Sequence, residues 1–375
     1  MSLGSGYDTL QSKLQSDELD PPESLSLLPQ SLFSRLQPMI TRLELSNFGP
    51  LAKLDWENLG SINLVIGSNG SGKTFLLKAL YSAMRTLEEY KRGDAPRSAP
   101  EILAEKLHWT FQADKIGDLV AKGSEGHLNL RCWVDHNEFG YSFGKDTTKQ
   151  ISSLENHVAP RASNSIFLPA KEVLSLHNII LESREKDLRF GFDDTYYDLA
   201  KALRIVPERG KNYEAFAKSK QSLEEMFGGK VQYNEGLGKW WFRKGKYVFP
   251  IGVTAEGVKK IAILDTLLSN KYLDPQSIVF MDEPESALHP TALTNLLDIV
   301  TMLAERGIQF FMASHSYFVV KKLSLIAQEK GISIPIIAED EDGWRSADLK
   351  DGMPDNAIIA ESIRLYEQEV NLALK

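Results

Sequence analysis

Gly67-Ser68-Asn69-Gly70-Ser71-Gly72-Lys73-Thr74 sets glycines, a lysine and a hydroxyl residue at the spacing that holds a chain of phosphates. Glycine permits backbone conformations that a Cβ would obstruct, so successive N–H groups can turn inward around phosphate oxygens. Lys73 supplies a charge for the β- and γ-phosphates, and the Thr74 hydroxyl can ligate Mg²⁺. Phe75 follows directly and is counted with the nucleotide-contacting segment. Far along the chain, the apolar run Ser277–Met281 ends in Asp282-Glu283-Pro284. Two carboxylates at the end of a core strand suggest divided work, Asp282 serving the metal and Glu283 orienting or deprotonating the attacking water. A later apolar run, Phe310–Ala313, leads through Ser314 to His315, which can donate a hydrogen bond to a γ-phosphate. Thr254-Ala255-Glu256-Gly257 opens a further helix whose free N–H groups form an anion site, with Thr254 the expected N-cap.

Chain-distant groups of this kind need a sheet that brings strand ends together, and the hydrophobic pattern supplies one. Leu43, Leu45 and Phe48 mark a strand turned by Gly49-Pro50, and Ile62, Leu64 and Ile66 mark the strand that enters the glycine-rich loop. Leu76, Leu77, Leu80, Tyr81, Met84 and Leu87 recur at helical spacing, predicting a helix that closes at Gly93. Residues 94–165 are expected to form an antiparallel β layer, with strands at Leu107–Phe111, Leu128–Val134 and Phe139–Phe143. Ile166–Leu168 is a further short strand, and 171–250 reads as an insertion, helical to 227 and aromatic-rich β thereafter. Helix and strand then alternate over 255–269, 277–282, 290–306, 308–313 and 316–330, which predicts an α/β fold with a mostly parallel core sheet. The expected divisions are a tail at 1–38, a body at 39–333, and a C-terminal hairpin and helix at 334–375. A short apolar stretch in the tail, Leu25–Leu36, suits a helix that docks on the body or on a partner.

With 375 residues, 42% hydrophobic and 25% charged, the chain has ordinary globular values and can bury a sizeable core. Its one cysteine, Cys132, excludes an internal disulfide, and no apolar run reaches the roughly 18 residues of a membrane span. A cytoplasmic location without membrane attachment is the expectation. The net charge of −8 argues against coating DNA by bulk charge. Any nucleic-acid contact must be local, and 209–246 is the candidate. It holds nine Lys and Arg against four Glu, with Trp240, Trp241 and Phe242 among them. The same composition also describes a solvated hairpin over an aromatic core. Glu339, Asp340, Glu341 and Asp342 are expected to form a solvated hairpin turn.

In this order, the pieces resemble the ABC-type ATPases of the SMC, RecF and OLD group, including AAA_15- and AAA_21-like ATP-binding proteins without a nuclease domain. Ile40–Phe48 looks like the group's opening strand, Gly67–Thr74 its Walker A motif, and Ile278–Glu283 its Walker B motif with the catalytic glutamate. Ser286–Pro290 is similar to the D-loop and His315 to the switch histidine. The resemblance implies a P-loop NTPase head using ATP and Mg²⁺, with Lys73, Glu283 and His315 catalytic and Thr74 and Asp282 at the metal. It also implies that two heads pair face to face, each nucleotide lying between one copy's Walker motifs and the other's Thr254–Gly257 helix start.

Two departures from the family pattern stand out. Where Ser-Gly-Gly followed by Gln or Glu is usual, this chain carries Ala255-Glu256-Gly257-Val258, or Thr254-Ala255-Glu256-Gly257 if shifted by one, and Asn164–Glu172 brings no glutamine to the Q-loop position. Slow or partner-gated hydrolysis is therefore expected. Two functions compete: an ATP-clamped switch controlling a separate effector, as in bacterial defence or toxin-type systems, and a RecF-like ATPase that binds DNA directly.

Overall fold

The computed structural model describes residues 39–94, 96–206, 216–340 and 343–374. The expected tail at 1–38 lies outside the described residues. Strands β1 (Ile40–Phe48), β2 (Leu51–Trp56) and β3 (Ile62–Ile66) lead into helices α1 (Lys73–Glu89) and α2 (Ala99–Phe111). Strands β4 (Leu128–Val134), β5 (Asn137–Phe143), β6 (Ser153–Asn156) and β7 (Ser165–Leu168) follow. Helices α3 (His177–Glu185), α4 (Asp194–Leu203) and α5 (Ala217–Phe227) precede β8 (Lys230–Asn234), β9 (Lys239–Lys244) and β10 (Tyr247–Pro250). The last part runs α6 (Glu256–Ser269), β11 (Ile278–Asp282), α7 (Pro290–Ala304), β12 (Gln309–Ser314) and α8 (Tyr317–Lys330). It closes with β13 (Pro335–Asp340), β14 (Gly343–Asp348) and α9 (Ala357–Ala373).

Six strands form the core sheet in the order β14-β13-β3-β12-β11-β7, parallel except at the β14 edge. Both faces are covered, so the strands read as continuous apolar runs. Alternation sorts their side chains between two cores. Leu64, Ile66, Val279, Phe310 and Met312 face the helical side. Val65, Phe280, Phe311 and Ala313 face α1 and the antiparallel sheet, whose order is β2-β1-β4-β5-β6. Gln309 stitches the two sheets together, accepting from Ile40 N–H at 2.9 Å and donating to Ile40 O at 2.8 Å.

Two sequence expectations need correction. Leu107–Phe111 is not a strand but the last part of α2. Ser98 and Glu101 start that helix, the Glu101 carboxylate accepting from Ser98 N–H at 2.9 Å, and Ile102, Leu103 and Leu107 then fall on one buried face. The antiparallel layer therefore draws its strands from 40–56 and 128–156. The C-terminal hairpin is not a separate unit either. β13 pairs in parallel with β3, Ala338 opposite Ile66, because Ile336, Ile337 and Ala338 are buried on both faces of the core sheet.

A buried charge network holds α1 against α2 and α4. Lys106 Nζ lies 3.2 Å from Asp198 and 3.3 Å from Asp194, while Arg85 pairs with Glu88 at 2.8 Å. Burial alone would raise the Asp198 carboxyl, but Lys106 and Arg85 outweigh it and hold it below the ordinary range.

Asp265 on α6 has no such rescue. It is buried with Oδ1 unpartnered among the described residues, and burial, aided by Glu224, pushes its pKa up to about 6 against the pull of Lys220 and Lys230. The folded state therefore holds this proton where the unfolded chain has lost it, so stability falls as pH rises from about 4 through about 6. Asp265→Asn is expected to stabilise the fold at pH 8 by up to about 3 kcal/mol and to change little at pH 4. Urea midpoints at the two pH values measure this, and equal shifts at both would contradict it.

Candidate nucleotide site

The glycine-rich loop leaves the C-terminal end of β3 and enters α1 at Lys73. Gly70 and Gly72 have φ of +84° and +102°, conformations that side chains rarely adopt. At Gly72 a Cβ would also lie 2.9 Å from both Leu51 Cδ2 and Pro50 Cγ. Lys73 folds back across the loop, its Nζ donating to Gly67 O at 2.9 Å and Ser68 O at 2.7 Å. Burial lowers its pKa, opposed by Glu339, Asp282, Glu283 and Glu285, so a cation is held in a field of carboxylates. Ser71 Oγ is buried with no partner among the described residues, and open space lies above Gly70. Such a loop has donors to spare for an anion.

Asp282 closes β11 in the parallel sheet, and Thr74 opens α1 beside it. The Thr74 hydroxyl donates to Asp282 Oδ1 at 2.9 Å and Oδ2 at 3.0 Å, joining two residues 208 positions apart. Burial raises the Asp282 pKa, and the Thr74 bond works against that shift. A hydroxyl and a desolvated carboxylate are hard oxygen donors, the set that fits Mg²⁺. Glu283 has φ of +46° and its N–H donates to Ala313 O at 2.9 Å. His315, at the end of β12, places Nδ1 3.5 Å from Glu283 Oε1 and 3.7 Å from Glu285 Oε1. A cavity of about 490 Å³ lies over the loop, bounded by Asn69, Gly70, Gly72–Phe75 and Glu283. Pro50, Lys78, Thr110, Phe111, Gln112 and Asp193 complete its wall. The Phe75 ring sits in a cluster with Phe48 at 5.2 Å and Phe111 at 4.5 Å. A larger hollow of about 610 Å³, lined by His127, Asp146 and Thr147, contains none of the motif residues.

The helix start at Thr254–Gly257 lines no part of the nucleotide cavity. Thr254 is not its N-cap. Ala255 holds that position, and Thr254 Oγ1 reaches back to Pro250 O at 3.4 Å because the chain first makes a short 3₁₀ turn. Glu256 is drawn back along the helix, 2.6 Å from Lys259 Nζ, which also meets Glu172 at 3.3 Å. Gly257 is required by close approach, since a Cβ there would lie 2.8 Å from Leu288 Cδ2.

Sequence reading missed two residues. Glu285 accepts from Ser314 Oγ at 2.8 Å and from His315 N–H at 3.2 Å, tying the loop after β11 to the end of β12. Its signal was an acid two places beyond Glu283. Glu339 is not in a solvated turn, as expected with Asp340, Glu341 and Asp342. Its carboxylate accepts from Ser68 N–H at 3.1 Å and Ser68 Oγ at 2.8 Å, because the β13–β3 register sets it beside the loop. Asp340 pairs with Arg345 at 2.8 Å, and 341 and 342 lie outside the described residues.

The basic segment 209–246 divides likewise. Arg209, Lys211 and Glu214 lie outside the described residues, while Trp240 and Phe242 are buried in the core. Trp240 packs against Tyr233 at 5.1 Å and His177 at 5.8 Å, so its ring is used in packing rather than displayed for base stacking.

Residues 62–321 match the family model described as "AAA domain, putative AbiEii toxin, Type IV TA system". The chain belongs to the AAA_21 family. Among solved structures, this AAA_21 chain is similar to an Smc head bound to the C-terminal winged-helix domain of ScpA. The TM-score is 0.50 at 14% identity, covering 83% of this chain and 97% of that one. A second similar structure is the Pyrococcus furiosus Smc head with an extended coiled coil bound to the C-terminal domain of ScpA. There the TM-score is 0.48 at 13% identity, with 88% and 99% covered. A comparison with curated proteins finds no match. The fold is that of an SMC-like, ABC-type ATPase head, a P-loop NTPase with a mostly parallel core sheet, and the family implies a nucleotide. Among the described residues, no helix is long and apolar enough to cross a membrane.

Proposed function

We propose that this AAA_21 chain binds and hydrolyses ATP as a switch, pairing head to head around ATP and controlling a separate effector protein. The convergence of Thr74, Asp282, Glu283 and His315 on the Lys73 loop carries the reading, because it joins phosphate binding to hydrolysis at one place. Lys73 would leave its two carbonyl partners to meet the β- and γ-phosphates. Glu283 would take the proton of the attacking water, and His315 would donate to the γ-phosphate. Thr74 and Asp282 would hold Mg²⁺, which neutralises charge on the phosphate oxygens.

The position of Thr254, Ala255, Glu256 and Gly257 outside the cavity supports their action on a second copy's nucleotide rather than on their own. Glu256, in place of a small residue, supports slow turnover. The toxin-system description of the family favours a dedicated effector, as does the ScpA domain carried by the similar Smc head. Cytoplasmic action and a role in bacterial defence belong to the same proposal. The RecF-like reading, with DNA bound through 209–246, is weaker because the core takes Trp240 and Phe242. Light scattering on Glu283→Gln with ATP and with ADP tests the switch, since only ATP brings the γ-phosphate that α6 would grip.

A further inference from the structure

Lys260 lies in the first turns of α6 and reaches the catalytic centre of its own chain. Its Nζ donates to the backbone carbonyl of Glu283. On the other side of that residue, Glu283 N–H donates to Ala313 O at 2.9 Å. The same carbonyl also accepts from Ser286 N–H at 3.0 Å, and together these ties hold Glu283 at φ +46°, a conformation that costs a non-glycine residue of order 1–3 kcal/mol and persists only where its surroundings enforce it. Glu285, Asp282 and Glu283 all face the Lys260 ammonium and favour its charged form, although burial pushes its pKa down to about 8.

Packing makes a second connection between the same elements. At Gly257, a Cβ would lie 2.8 Å from Leu288 Cδ2 and 3.0 Å from Ala287 O. Ala287 has φ of +60°, so the backbone after Glu283 is bent to meet the helix. The start of α6 and the segment Glu283–Leu288 are thus joined by close contact at one point and by a charge-assisted hydrogen bond at another. One place is where the helix would touch another copy's nucleotide. The other is where Glu283 would activate water.

We propose that Lys260 is a positioning residue that carries the placement of the α6 start to Glu283 of the same chain. A contact made at Thr254–Gly257 then sets whether this head's carboxylate is aligned for attack. Lys260 touches neither nucleotide nor water in this role. The proposal rests on the ATPase reading above, and it adds a route by which one site's occupancy is felt at the other.

The test compares full-length wild type, Lys260→Met and Lys260→Arg. Methionine keeps most of the apolar stem and removes the donor, whereas arginine keeps a donor. ATP affinity is read by calorimetry, and kcat and KM by phosphate release with Mg²⁺. Lys260→Met is expected to keep affinity and KM within about twofold while kcat falls about 10- to 100-fold, the scale of a small misplacement of a reacting group. Lys260→Arg is expected to recover kcat to within about fivefold of wild type. A methionine variant with kcat within twofold of wild type overturns the proposal. So does an equal loss in both variants, because the donor is then not what matters, and so does a loss of affinity matching the loss of kcat. A wild-type chain that binds ATP and releases no phosphate overturns the ATPase reading itself, and the role of Lys260 with it. Failure confined to the variants leaves that reading standing.

Discussion

Replacing Lys73 by alanine is expected to abolish ATP binding. The ammonium is buried at the mouth of the loop, with Glu339, Asp282, Glu283 and Glu285 contributing negative potential around it. Without Lys73, the remaining lysine on the cavity wall is Lys78, which is already paired with Asp193 at 2.6 Å. Truncating one partner of a buried charge pair typically costs 2–5 kcal/mol. That corresponds to a loss of affinity between about 30-fold and a few thousand-fold. Gly70 and Gly72 are unchanged in the variant, so φ of +84° and +102° remains open to the loop backbone. Calorimetric titration with ATP and Mg²⁺ measures the change. An affinity within threefold of wild type would remove Gly67–Thr74 from the nucleotide site.

Glu283→Gln should separate binding from turnover. Glutamine matches the shape of the carboxylate and leaves the backbone ties of residue 283 to Lys260, Ser286 and Ala313 intact, so ATP should remain bound. What disappears is the proposed base. Positioned general-base catalysis contributes about 10²–10⁴-fold, and turnover should fall by at least the lower figure. Asp282 differs because Thr74 holds both of its oxygens beside the loop, so Asp282→Asn should impair Mg²⁺-dependent binding first. Phosphate release by Glu283→Gln at the wild-type rate would mean that another group activates the water. Glu285 would be the next residue to test, given its buried and unpartnered Oε2.

The site was legible in the sequence where local pattern and chemistry coincide. The Lys73 loop lies between an alternating strand and an amphipathic helix, and Asp282 ends an apolar run, so a parallel sheet brings them together without further information. Leu107–Phe111 was misread because its apolar residues suit either period, and the signal that decided for helix lay upstream in Ser98 and Glu101. Glu339 was hidden for a different reason. Acids beside a glycine suggest a solvated turn, and only the pairing of β13 with β3, a long-range register, sets that carboxylate on Ser68. Thr254 failed as a cap because the 3₁₀ turn at Ile251–Val253 shifts the helix start, which single-residue propensity does not register. The aromatic run Trp240–Phe242 held both readings until alternation along β9 turned its two outer rings inward.

In the proposed switch the γ-phosphate, not nucleotide in general, joins two heads. The α6 start takes no part in its own cavity, and in the proposed pair the partial positive charge of this helix end would meet a second copy's γ-phosphate. Such a contact adds binding free energy only when a γ-phosphate is present, so association should follow ATP and not ADP. Glu283→Gln, which should retain ATP, is the background in which the paired state accumulates. Light scattering on that variant should give a mass near two copies with ATP and Mg²⁺ and near one copy with ADP. The same mass with both nucleotides would contradict the switch and make the chain an ATP-binding module that stays monomeric or constitutively assembled.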